Sequence, residues 1–252
     1  MLLTLLKHEY KYIIKSFSVV YALFFGITIV FKIMLHMFIA KDGEFSSTFT
    51  ATLFWIFAIS WYVFLFVIGL MTITNNSRRF KKSMFGPEGY LTNTLPVSTS
   101  TNIIAKIIAG ATNYVVSYFA VALSCNILII GIDGSGKAMK AISEGIGELF
   151  TEHFDYVFAF FFCSFFTYLA FLLFCYMLGA LSSMIGGSKV KSFFIGLGLI
   201  IANIFVFSAI VTALDDTSAL GIMFAIGFYY MIIAAVEFLI VHNIVKNHLN
   251  LQ

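Results

Sequence analysis

The chain has 252 residues, of which 61% are hydrophobic, 18% aromatic and only 11% charged. A soluble domain carries roughly 25% charged residues to keep its surface wet, so most of this chain must be solvated by lipid. The formal net charge of +3 is small and dispersed, which excludes a nucleic-acid binder built on clustered Lys and Arg.

In chain order, residues 1–16 form a lead that mixes Leu2, Leu3, Leu5, Leu6, Ile13 and Ile14 with Lys7, Lys11 and Lys15. Lysines every four residues make one stripe on a helix. That pattern predicts an amphipathic interfacial helix along the inner leaflet, with a frayed tail as the alternative. The first apolar run is too long for the core of a cleavable signal and lacks a small-residue cleavage site. Six stretches then reach the ~20 apolar residues that a span needs: 17–39, 49–73, 107–132, 156–181, 192–213 and 219–242. The last two are parted only by 214–218, where Asp215 and Asp216 mark a turn at a surface. The fold expected is all-α, a polytopic membrane protein in one transmembrane domain.

Charge orients it, because inside segments are rich in Lys and Arg. With the N-terminus inside, eleven basic residues (Lys7, Lys11, Lys15, Arg78, Arg79, Lys81, Lys82, Lys106, Lys189, Lys191, Lys246) fall inside and three (Lys41, Lys137, Lys140) outside. Acidic residues run the other way, with Glu9 and Glu88 inside against nine outside. Both termini are therefore expected inside. The outer loop 133–155 places Met139, Ile142, Ile146, Leu149 and Phe150 at helical spacing, which predicts a short amphipathic helix on the outer surface.

Enzymatic motifs fail on inspection. Gly131, Gly136 and Lys137 match the start of a phosphate-binding loop, but Ala138 stands where the magnesium-holding Ser or Thr belongs. The match also follows a span, with no room for a nucleotide-binding domain. His8 and Glu9 begin a zinc-protease motif whose second ligand position holds Tyr12. Cys125, Cys163 and Cys175 lie in apolar runs without metal or disulfide spacing and read as small hydrophobes. No metal site and no catalytic residue is expected.

Two ionisable residues lie at membrane depth, where charge is expensive and suggests function. Lys32 sits in the outer part of span one with His36 one turn on, and snorkelling to the headgroups accounts for it. Glu237 lies in the inner part of span six, facing either a cavity or a neighbouring helix. Small pairs four apart (Ala105 and Ala109, Gly198 and Ala202, Gly221 and Ala225) fit close helix approach, within one subunit or between two.

The inner loop 74–106 between spans two and three is long for a compact bundle. Arg78, Arg79, Lys81 and Lys82 at its start suit anionic lipid headgroups. Gly86, Pro87 and Gly89 then supply a turn, Tyr90 to Leu95 form a short amphipathic element stopped by Pro96, and Ser98 to Thr101 offer helix N-caps. Such an element suits docking of a soluble partner.

The run from Glu88 to Lys106, "EGYLTNTLPVSTSTNIIAK", resembles the signature of small six-helix permeases of type-2 ABC exporters, common in Gram-positive bacteria. The opening "LLKHEYK" is similar to that family's as well. The resemblance implies a coupling helix after span two that docks a separate soluble ABC ATPase, with Glu88, Gly89, Tyr90, Leu91, Thr92, Thr94, Leu95 and Pro96 as the contact surface. Asn93 departs from the apolar residue that relatives often carry, and 214–218 is too short for a full re-entrant pair. It further implies a permease subunit in the cytoplasmic membrane, not itself an enzyme, paired with a second copy or a related permease. ATP and Mg would be bound by the ATPase, and the cargo would be amphiphilic, such as an antimicrobial or lantibiotic-type peptide or a drug. An ion-coupled transporter or channel is the first rival, though the paired polar breaks usual in such proteins are lacking. A membrane immunity or scaffold protein that binds a peptide without moving it is the second.

Overall fold

The computed structural model describes residues 2–39, 47–86, 89, 98–129, 152–184, 189–214 and 217–247. These form six helices, α1 (Leu2–Ile39), α2 (Thr48–Phe85), α3 (Thr99–Ile129), α4 (Phe154–Met184), α5 (Lys189–Ala213) and α6 (Ala219–Asn247), with no strand among the described residues. All six are long and apolar enough to cross a membrane. In lipid this is the expected outcome, since a helix satisfies its own backbone hydrogen bonds.

Helix ends depart from the hydropathy boundaries. The lead is not a separate element, because α1 runs unbroken for 38 residues from Leu2. No Pro or Gly interrupts Leu2 to Phe25, and the Lys-, Leu- and Ile-rich sequence has no reason to leave the helix. Lys7, Lys11 and Lys15 are all exposed on it. Likewise α2 continues through Arg78, Arg79, Lys81 and Lys82 to Phe85, and α3 starts at Thr99. The stretch between these helices is thus much shorter than 74–106, because hydropathy marks where lipid ends and not where helix ends.

Caps fix several starts. Thr50 N donates to Ser47 Oγ at 3.3 Å while Ser47 N donates to Thr50 Oγ1 at 3.2 Å, a reciprocal pair that opens α2. Ser98 caps α3, accepting from Thr101 N at 3.3 Å. Ser218 caps α6, accepting from Gly221 N at 3.2 Å. Leu214 ends α5 in a turn that Thr217 N closes at 2.9 Å. The outer amphipathic helix expected in 133–155 lies outside the described residues up to Thr151, and Asp215 and Asp216 also lie outside them.

The chain divides into two compact units. One comprises Met1–Lys7, Ile73–Ala111 and Asp155–Gln252. Its core joins Phe80, Met84, Ile103, Ala105, Ala109, Leu172, Tyr176 and Val241, all nearly solvent-free. Ala105 and Ala109 therefore serve packing within the subunit, whereas Gly198 and Ala202 on α5 are exposed. Helix α5 buries only a narrow stripe, Ser192 and Gly196, with Gly196 against the side chain of Leu178. The rest of its surface is apolar and open, as lipid contact requires.

The other unit comprises His8–Thr72 and Thr112–Phe154. Phe24, Trp61 and Ile68 form its core, packed by Tyr21, Phe31, Phe64 and Val121. Polar rungs cross it. Trp61 Nε1 donates to Ser124 Oγ at 2.9 Å. Thr28 already gives its proton to Phe24 O, so Ser124 donates to Thr28 Oγ1 at 2.9 Å. Ser117 sends its proton to Asn113 O at 2.9 Å, so Tyr21 is the donor in its 2.7 Å bond to Ser117 Oγ. Tyr10 and Thr112 share a further bond of 3.0 Å. Each bond replaces one that lipid cannot offer.

Candidate functional site

Residues 87–97, apart from Gly89, lie outside the described residues, so the expected contact residues Glu88, Tyr90, Leu91, Thr92, Thr94, Leu95 and Pro96 fall outside them too. Gly89 is buried, and its N–H donates to Gly86 O at 2.8 Å. What is described is the pair of helices flanking this stretch. The basic collar ends α2, with Arg78, Lys81 and Lys82 exposed and Arg79 half-buried. A helix C-terminus carries partial negative charge, so cations there also stabilise the helix.

Between these basic side chains Phe80 turns inward and is 1% exposed. Its ring stacks on Tyr176 of α4 with centroids 4.0 Å apart and planes 7° from parallel. One turn back on α2, Asn76 Nδ2 donates to Tyr168 OH at 3.1 Å, and Tyr168 OH donates to Gly110 O of α3 at 3.1 Å. A single tyrosine thus ties α2, α3 and α4. The approach depends on Gly110, where a Cβ would come within 2.7 Å of Leu172 Cδ2. On α6, His242 Nδ1 lies 3.5 Å from Ser100 Oγ at the start of α3. The two helices that bracket 86–98 are thereby held to α4 and α6 by stacking and hydrogen bonds as well as by apolar contact.

Tyr168→Phe tests this tie. It leaves the buried Asn76 amide without its acceptor, at a cost of about 1 kcal/mol, the scale of hydrogen bonds in membranes. Thermal unfolding of the purified protein in detergent should show a modest fall in midpoint, and an unchanged midpoint would show that the bond contributes nothing.

A second feature runs along α3. Asn102, Lys106, Asn113, Ser117 and Ser124 recur at steps of four and seven and are all buried. This is one helix face, polar over ~33 Å at 1.5 Å per residue. Both side-chain polar atoms of Asn113 lack a hydrogen-bond partner. Hydropathy averages over the stripe and misses it; the four-and-seven spacing of Asn, Lys and Ser was the signal available in the sequence.

Of the two charges expected at membrane depth, Lys32 is half-buried and His36 exposed on α1. Glu237 is 8% exposed, and its Oε2 has no hydrogen-bond partner. Within the same unit Cys175 of α4 lies within electrostatic reach of it and of Ser77 of α2. Among the described residues no group of three His, Cys, Asp or Glu side chains is arranged to hold a metal.

No family model, no curated protein and no solved structure matches this chain.

Proposed function

We propose that this chain is the permease subunit of an ABC-type exporter in the cytoplasmic membrane of a bacterium, with both termini inside. The reading is carried by the Glu88–Pro96 string, which falls between α2 and α3. The surplus of Lys and Arg on the assigned inner side supports the orientation. A soluble ATPase holds ATP and Mg and docks on this element, and a second permease, identical or related, completes the pathway for an amphiphilic cargo. Displacement of the docked element is passed to α2 and α3, then through Tyr168 and the Phe80–Tyr176 stack to α4. Packed side chains of this kind shift as units and do not deform smoothly, which suits them to relay a rigid-body movement.

The test is copurification followed by an ATPase assay, comparing the native chain with Tyr90→Asp. A charge placed in the centre of a desolvated contact is expected to weaken the partner's binding by at least about tenfold. The copurifying ATPase activity should fall accordingly. A variant that retains its partner in full would overturn the assignment of the docking element, and a native chain active without any companion would overturn the half-transporter itself.

A further inference from the structure

The carboxyl of Glu237 is the best-defined unexplained group in the protein. It is 92% buried on an apolar helix, and Oε2 has no hydrogen-bond partner. An ionised carboxylate so placed loses its hydration without repayment, and in proteins such groups are paired or become neutral. On α4 the thiol of Cys175 lies within electrostatic reach of Glu237, and Cys175 in turn faces Ser77 of α2, whose hydroxyl proton goes to Ile73 O at 2.8 Å. On α6 itself His242 stacks on Phe238 and faces Ser100, while Lys246 is exposed. Lys106, the buried cation of α3, has a contact of its own.

The size and chemistry of the site choose the cation. A hard metal ion asks for about six oxygen ligands, and among the described residues no group of three His, Cys, Asp or Glu side chains is placed to hold one. A cationic group of a cargo needs open space beside the carboxyl, which its burial denies. A proton needs one oxygen lone pair and no space. We propose that Glu237 is a proton-binding site, carrying a proton in this conformation and releasing it to water when α6 parts from α2 and α4. The step is a simple exchange: the O–H bond on the carboxyl breaks, the proton passes to water, and the carboxylate gains hydration. This makes the movement of α6 proton-linked, independently of which partner drives it.

Isotope-edited infrared spectroscopy of the full-length chain, labelled on glutamate and placed in lipid nanodiscs, tests the site directly. At neutral pH a protonated-carboxyl C=O band is expected in the native protein and lost completely in Glu237→Gln. The variant should also keep the native thermal midpoint, since a neutral amide of the same shape replaces a neutral acid. Absence of the band at neutral pH, its persistence in Glu237→Gln, or a variant that unfolds early or fails to fold would each overturn the proposal.

Discussion

Gly227→Ala is expected to destabilise the protein by about 3 kcal/mol, the upper end for a methyl forced into a packed interior. The Cβ would stand 2.5 Å from both Cδ1 and Cε1 of Phe162, and 3.4 Å from the Cα of Cys163. The half-buried ring of Phe162 sits among three other phenylalanines. Its ring is held edge-on to Phe166 at 4.8 Å and to Phe228 at 5.2 Å, with Phe224 at 5.7 Å. Relief therefore requires α4 and α6 to separate locally, which loses the dispersion contacts that drive helix association in lipid. The measurement is the thermal midpoint in detergent, followed by loss of the monodisperse species. A double variant that also carries Phe162→Leu should recover much of the loss, because the flexible side chain can yield where the ring cannot. If Gly227→Ala alone matches the native midpoint, the close approach is not as drawn.

Phe80→Ala is the second large effect. Removing a fully buried aromatic costs about 3–5 kcal/mol, through lost transfer energy and the cavity left behind. Here the stacked contact with Tyr176 is lost as well, and aromatic pairs in offset-stacked geometry add about 0.5–1.5 kcal/mol. Phe80→Leu should cost distinctly less, since most of the volume remains. The functional consequence separates the two roles of the residue. If the stack relays movement from α2 to α4, Phe80→Leu should retain the partner ATPase yet lower cargo-dependent ATP hydrolysis. Equal hydrolysis in native and Phe80→Leu proteins, with the fold intact, would confine Phe80 to a packing role.

The tie at Tyr168 and the stack at Phe80 explain why neither was visible in the sequence. A tyrosine inside an apolar run, or a phenylalanine inside "RRFKK", has no periodic signature of its partner. The contact joins residues 92 positions apart for Asn76 and Tyr168. Similarly, Gly227 and Gly110 differ from exposed glycines such as Gly198 only in what faces them.

Composition and charge determined the lipid solvent, the six apolar helices among the described residues and the placement of the polar connections, because the cost of exposing backbone and charge to hydrocarbon is a local property of each segment. The caps at Ser98 and Ser218 were local too. The helix ends were not, since α1 and α2 run on into polar sequence that favours helix without favouring lipid. Only the tertiary structure decided that Phe80 turns inward between four cations, that one face of α3 buries its polar residues, and that one carboxyl oxygen of Glu237 is enclosed without a partner. Those outcomes depend on which helix lies opposite, and packing between distant segments leaves no pattern in either one alone.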